Sequence, residues 1–260
     1  MLTLFIPSAY EAAGFVDELK RGRGAPFRRE KIAGVPVFTG GLKGVPARVA
    51  VCGMGQPHSA LRIGAVLDAL APLNETDPVW LAGFGGGLDP SLKRYDMVWL
   101  DGGTGDGNPA GVETDASAPV RAASAATGVP ARRISKIFTS EVVVDTPERK
   151  VAAFKETGAE IVDMETAPFL ALLAKHRRTG AVVRVISDDA TEEFPADLIG
   201  HTYDFAKGRG TPFRLAWRLL THPRDIGRMR HFLAPLPAAR ERLLEFVRAG
   251  VAKAGNGAGK

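Results

Sequence analysis

Short apolar runs alternate with segments of helical periodicity along this chain, and that alternation most limits the folds open to it. The apolar runs predict strands at Leu2–Ile6, Val35–Thr39, Arg48–Cys52, Val79–Ala82, Met97–Leu100, Ile134–Phe138, Val142–Val144, Ile161–Val162 and Ala181–Ile186. Helices are predicted between them at Tyr10–Lys20, Gln56–Leu70, Pro147–Thr157 and Glu165–Arg178. This order predicts a single α/β domain with a mixed, mostly parallel twisted sheet flanked by helices.

The pattern changes after residue 205, where only helical periodicity remains. Helices are predicted at Thr211–Leu220, Pro223–Phe232 and Pro237–Ala252. We therefore expect an α/β domain over residues 1–205 and a helical C-terminal extension, residues 206–260, packed on the same domain. The polar, glycine-rich segment 101–119 is predicted to be a long surface loop.

Composition excludes several classes of protein. The single cysteine, Cys52, rules out an internal disulfide and fits a reducing cytoplasm, where we expect the protein to reside. No apolar run approaches the roughly 20 residues of a membrane span. The N-terminus lacks a basic region and is interpreted as a first strand, not a signal peptide.

The modest net charge of +5 does not indicate a nucleic-acid-binding protein. Its basic segments lack interleaved aromatic residues and any recognisable nucleic-acid motif. The five histidines show no metal-ligand spacing, so a zinc enzyme is not expected.

Two glycine-rich segments follow predicted strands. Gly53 and Gly55 stand between a strand and a helix, where backbone N–H groups are free to meet a ligand. Residues 83–87 contain four glycines around Phe84 and match neither the dinucleotide fingerprint nor a P-loop. They suit close backbone approach to a sugar or a base, although a tight turn would use the same residues.

Carboxylates end two further strands. In Asp163-Met164-Glu165 a carboxylate stands at the start of a helix, where it could bind a ribose diol or simply cap the helix. In Ser187-Asp188-Asp189 paired carboxylates follow a buried strand. Such a pair can keep one acid protonated near neutral pH for a leaving group, or it can be a solvated loop start.

Taken in order, the CGMG turn, the Gly83–Leu88 segment, VDMETA and RVISDDA resemble the purine nucleoside phosphorylase and nucleosidase superfamily. The resemblance implies that Glu165 holds the ribose hydroxyls, with Met164 against the sugar. It implies that Asp188 protonates or hydrogen-bonds purine N7, and that the reaction uses neither a metal nor an organic cofactor. The substrate contacts it implies further comprise Gly53, Gly55, Phe84, Gly85, Gly86, Val143 and Ser187.

Two positions depart from the nucleosidase pattern. That branch has two glutamates, two residues apart, in its first helix; here the first matches Glu11 and the second falls on Ala13. A small polar residue near the nucleophile is replaced by Phe84. Glu11 is therefore the candidate for activating water, while inorganic phosphate is the alternative nucleophile, with Arg184 as its candidate ligand. A non-catalytic nucleoside-binding module is the second hypothesis.

A narrower resemblance concerns Leu88–Leu92 and the basic helical tail. Both are similar to the hopanoid-biosynthesis-associated phosphorylases, which are expected to remove adenine from an adenosyl-lipid. This resemblance implies a purine nucleoside-like substrate and a peripheral contact of the basic C-terminal helices with a membrane surface. The superfamily implies a homodimer.

Overall fold

The computed structural model describes residues 1–70, 77–102, 118–128, 130–204 and 209–257. The described strands are β1 Leu2–Ile6, β2 Arg28–Ile32, β3 Val35–Leu42, β4 Val45–Val51, β5 Val79–Gly87, β6 Met97–Gly102, β7 Ala131–Arg133, β8 Ile137–Thr139, β9 Ile161–Asp163, β10 Gly180–Asp188, β11 Tyr203–Asp204 and β12 Arg209–Gly210. The described helices are α1 Ala9–Arg21, α2 His58–Leu70, α3 Ala118–Thr127, α4 Pro147–Thr157, α5 Thr166–Lys175, α6 Ala196–Thr202, α7 Pro212–Thr221, α8 Asp225–Leu233 and α9 Leu236–Gly257.

One large mixed sheet organises the molecule, in the order β2-β3-β4-β1-β5-β10-β6-β7. Its centre, β4-β1-β5-β10, is parallel, so these four strands end at the same edge. Strand β9 runs antiparallel to the end of β5, with Val162 opposite Gly86. Ligands bind at the carboxyl ends of parallel strands in such sheets. The predicted fold class is confirmed.

Helices cover both faces of the sheet because its central strands are apolar on both sides. Phe15 of α1, Val120 of α3 and Phe246 of α9 are buried in one core cluster. Ile63 of α2 and Phe169 of α5 are buried in the cluster on the opposite face. Helix α9 packs against α1 and α3, so this C-terminal helix contributes to the main core.

The strand predictions fail in places for local reasons. Strand β2 was missed because its sequence, RREKI, is charged and mostly exposed at the sheet edge. The predicted strand Val142–Val144 is wrong: these valines lie outside regular structure and line a cavity. The predicted strand Ile134–Phe138 is only partly right: Ile137 and Phe138 lie in β8, whereas residues 134–136 connect β7 to β8. Of the predicted loop at 101–119, residues 103–117 lie outside the described residues.

Strands β5 and β10 extend further than predicted. Backbone pairing continues through the glycines to Gly87 and through Ser187 to Asp188, so these residues belong to strands and not to turns. Within the described ranges, no helix combines the length and the apolarity that crossing a bilayer requires.

Candidate active site

A cavity of about 460 Å³ lies at the carboxyl edge of the sheet. Its floor is formed by the ends of β5, β9 and β10 and by the start of α1. Nine residues singled out in the sequence line it: Glu11, Phe84, Gly85, Gly86, Val143, Met164, Glu165, Ser187 and Asp188. The volume is within the range of small-molecule sites.

A β-bulge in β10 directs two consecutive side chains to this cavity. Ile186 pairs with Gly85 and Asp188 with Gly86, so Ser187 is the extra residue. In a regular strand, neighbouring side chains point to opposite faces, whereas a bulge redirects them. Ser187 Oγ donates a hydrogen bond to Asp188 Oδ1 at 2.6 Å. The bulge thus presents a serine–aspartate pair to one ligand space.

Lys150 of α4, which the sequence analysis missed, holds the other oxygen of Asp188. Its Nζ donates to Asp188 Oδ2 at 2.6 Å and to the carbonyl oxygens of Asp189 and Glu192 at 2.7 and 2.8 Å. All three ammonium protons are therefore used, and the Lys150 side chain is fully buried. A buried charge needs such compensation. The pair fixes the position of Asp188 and balances its negative charge.

Glu165 occupies the N-cap position of α5 but does not cap it. Its Oε1 accepts a hydrogen bond from the Gly55 N–H at 2.8 Å. The capping is done by Asp163, whose Oδ1 accepts from the Thr166 N–H at 3.2 Å. Because Asp163 caps the helix, Glu165 is left to line the cavity. Of the two carboxylates, only Asp163 therefore acts as a helix cap.

Arg184 lies beneath the cavity and forms ion pairs with the carboxylates of Asp163 and Glu165. It is fully buried, and its Nε donates to Asp163 Oδ2 at 3.1 Å while its Nη2 is 3.3 Å from Glu165 Oε2. It is not among the residues that line the cavity. That Arg184 binds phosphate stays a prediction, although its Nε and Nη2 are already paired with two carboxylates. Its role is to neutralise and orient Glu165.

Burial dominates the electrostatics of Glu165. Desolvation raises its pKa to about 7; Arg184 opposes this rise, and the neighbouring Asp163 carboxylate adds to it. Glu165 therefore changes protonation near neutral pH. As an ionised carboxylate it accepts two hydrogen bonds, which is the requirement for binding a vicinal diol.

Glu11 is engaged within the protein. Its Oε2 accepts from the Ser8 N–H at 3.0 Å in a capping box, and its Oε1 accepts from the Phe84 N–H at 2.7 Å. Burial raises the pKa of Glu11, while these hydrogen bonds oppose the rise. Glu11 thus ties the start of α1 to β5, and its carboxylate also borders the cavity. Ala13 is not among the residues lining the cavity.

The glycine at position 83 is required by this buried charge cluster. A Cβ there would lie 2.6 Å from Arg184 Nη1 and 2.8 Å from Glu11 Oε1, too close for a real contact. At Gly86 a Cβ would lie 3.3 Å from Asp188 Oδ2. The absence of a side chain at Gly83 therefore leaves room for Arg184 and Glu11, and its absence at Gly86 leaves room for Asp188.

Two of the predicted glycines lie outside the lining. Gly53 and Gly55 both have positive φ, 83° and 74°, which favours glycine at these positions. Gly55 acts through its N–H on Glu165. Cys52, beside them, is buried, and burial raises the pKa of its thiol, in agreement with a structural role.

The C-terminal helices complete the cavity with an apolar wall, which the sequence did not reveal. This wall, hereafter the C-terminal wall, comprises Ile199 of α6, Met229, Phe232 and Leu233 of α8, and Leu236 of α9. Phe194 and the valines 142–144 adjoin it. Tyr10, which also lines the cavity, packs edge-on against Phe84 with the ring centroids 6.4 Å apart. Across the described part of the chain, no cluster of His, Cys, Asp and Glu could hold a metal ion.

Comparisons with known proteins agree with this fold. The model of the phosphorylase superfamily matches residues 2–220. Native futalosine hydrolase of Helicobacter pylori strain 26695 has a similar structure, with a TM-score of 0.66, 17% identity and 97% coverage of both chains. No curated protein sequence matches the chain.

Two 5′-methylthioadenosine/S-adenosylhomocysteine nucleosidases are similar in structure as well. The enzyme from Campylobacter jejuni gives a TM-score of 0.66 at 14% identity, with 97% of this chain and 98% of that chain covered. The enzyme from Colwellia psychrerythraea 34H, in complex with adenine, gives 0.64 at 18%, with 97% and 94% covered. With its family model matched over most of its length, this chain belongs to the phosphorylase superfamily and is a nucleoside phosphorylase or nucleosidase, an enzyme that cleaves N-glycosidic bonds.

Proposed function

We propose that the protein releases the base from an adenosine-type nucleoside that carries a large apolar group on its ribose 5′ carbon. The observation that supports this most strongly is the division of the cavity. Asp188 and Glu165 lie on its floor, while the C-terminal wall makes the remainder apolar. A polar base and sugar fit the floor, and an apolar substituent fits the wall.

Asp188 is the group that activates the leaving base in this proposal. With Lys150 on one carboxylate oxygen and Ser187 on the other, it is held rigidly and faces the ligand space. It takes up a proton from solvent, donates that proton or a hydrogen bond to N7 of the purine as the C–N bond breaks, and is left as a carboxylate whose charge Lys150 balances. A positioned group of this kind typically contributes a factor of roughly 10² to 10⁴.

Glu165 binds the ribose in this proposal. Its carboxylate accepts hydrogen bonds from the two ring hydroxyls, with Met164 against the sugar. As the base departs, the sugar becomes cation-like, and the negative charge of ionised Glu165 stabilises it. Arg184 and the Gly55 N–H hold the carboxylate in place for this task.

The apolar part of the cavity supports a lipid-like 5′ substituent. Three helices, α6, α8 and α9, contribute apolar side chains to this part of the cavity. An adenosyl-lipid of hopanoid synthesis is the substrate that we propose. Each apolar side chain contacting the substituent favours binding through the hydrophobic effect.

Water or phosphate completes the reaction, and Glu11 favours water. It is a carboxylate that borders the cavity and whose pKa is raised by burial. A base of this kind suits proton removal from water. Among the described lining residues there is no lysine, arginine or histidine to bind phosphate. We therefore propose hydrolysis and keep phosphorolysis as the second candidate.

The test is base release from a series of adenosine derivatives whose 5′ substituents grow from hydroxyl to methylthio to long alkyl. We expect adenine release, with kcat/KM rising along the series. Release that needs inorganic phosphate would identify a phosphorylase, and release without it a hydrolase. Tight binding of the nucleosides with no release under either condition would instead support a non-catalytic binding module.

A further inference from the structure

Helix α7 carries an unusually exposed apolar face. Phe213, Trp217 and Leu220 are 83%, 64% and 77% exposed. They are spaced by four and three residues, so they lie on one side of the helix. Ile226 and Leu233 of α8 add two further exposed apolar side chains. Exposed apolar clusters of this kind mark interaction surfaces.

The segment that carries this face is rich in basic residues. Residues 209–233 contain six arginines and a single acidic residue, Asp225, so their formal charge of +5 equals that of the whole chain. Ion pairs neutralise part of it, since Arg218 binds Asp225 and Arg228 binds Glu193 and Asp197. Arg224 and Arg230 are exposed. Apolar side chains bordered by cations are complementary to an anionic lipid surface.

The same surface borders the opening of the cavity. Thr211, the residue before α7, lines the cavity, so the helix begins at its edge. Leu233 and Val142 also line it, and both are exposed, at 44% and 70%. An apolar molecule leaving a bilayer held against α7 would therefore be at the edge of the cavity.

We propose that α7 and the exposed side of α8 bind the surface of an anionic phospholipid bilayer, with Phe213, Trp217 and Leu220 inserted among the lipids. A second copy of the chain is a poorer occupant. A symmetric contact would place the same arginine-rich patch opposite itself, and like charges repel. The bilayer proposal concerns binding alone, so it stands or falls independently of the catalytic function.

Trp217 provides a direct measurement. The other two tryptophans, Trp80 and Trp99, are 1% and 4% exposed, so a vesicle contact affects Trp217 selectively. The full-length protein is mixed with vesicles of phosphatidylcholine alone or of phosphatidylcholine with phosphatidylglycerol. We expect sedimentation with the anionic vesicles only, weaker in high salt, and quenching of Trp217 by brominated lipid. The Trp217→Phe variant is expected to lose this quenching.

The double variant Phe213→Ser/Leu220→Ser tests the insertion, with Leu61→Ser of α2 as its control. Leu61 is also an exposed leucine, at 69%, but lies on another helix. We expect the double variant to lose anionic-vesicle binding at least tenfold and the control to retain it. Absence of vesicle binding in the unmodified protein, or equal binding by the double variant, overturns the proposal. Light scattering that shows a dimer lost in the double variant, without vesicle binding, would assign the surface to a second copy instead.

Discussion

Replacement of Lys150 by methionine tests the arrangement that holds Asp188. The side chain is fully buried, and its ammonium donates three hydrogen bonds, one to the Asp188 carboxylate and two to backbone carbonyls. Methionine fills similar space but leaves these acceptors without donors. Removal of one partner of a buried ion pair costs about 3–5 kcal/mol. That is a large part of a typical stability of about 5–15 kcal/mol.

Urea unfolding at neutral pH measures this loss. Lys155→Met is the matched control, because Lys155 belongs to the same helix and is exposed. We expect the control to change the free energy of unfolding by less than about 0.5 kcal/mol. If Lys150→Met costs no more than this control, the buried ion pair does not stabilise the protein and the reasoning fails.

A double-mutant cycle separates the interaction between Lys150 and Asp188 from the other effects of replacing Lys150. When Asp188→Asn is already present, Lys150→Met should cost less, with a coupling energy of about 0.5–3 kcal/mol. The Lys150→Met protein should also lose kcat more than it changes KM, because its misplaced carboxylate no longer meets the leaving base. Additive costs would show that Lys150 acts independently of Asp188.

Other predictions concern the remaining site. Because Glu165 binds the ribose as an ionised carboxylate with a pKa of about 7, KM should rise as the pH falls from 8 to 6, and Glu165→Gln should abolish that dependence. Arg184→Gln leaves buried carboxylates unpaired and should lower the urea-measured stability by about 3–5 kcal/mol. Gly83→Ala should destabilise the protein, because its Cβ would lie 2.6 Å from Arg184 Nη1. Phe232→Ala should weaken binding of long-alkyl nucleosides in calorimetry but not of adenosine.

The residues of the candidate site that could be predicted from the sequence are those that a short segment of sequence is enough to indicate. A polar residue at the end of an apolar run can be recognised from that run alone. Because the strands of a parallel sheet end at the same edge, such residues come together there. Local pattern indicates Asp188, Glu165 and the glycines at 85 and 86 as candidates, the family resemblance implies their roles, and all four residues line one cavity.

The long-range contacts of the site could not be predicted from local pattern. Lys150 is 38 residues from Asp188 in sequence, and it stands in a helix that contains other charged residues. Arg184 was visible as a charge in a buried strand, but its pairing with Asp163 depends on how β9 and β10 lie relative to β5. The C-terminal wall depends likewise on helix packing.

Turnover by Asp188→Asn is the most direct measurement of the central claim. Adenine release from an alkyl-substituted adenosine would be followed for this variant and for the unmodified protein, with circular dichroism and nucleoside binding as controls. We expect an intact fold, retained binding and a fall in kcat of roughly 10² to 10⁴. Full turnover by the variant would contradict the assignment of Asp188 as the group that activates the leaving base.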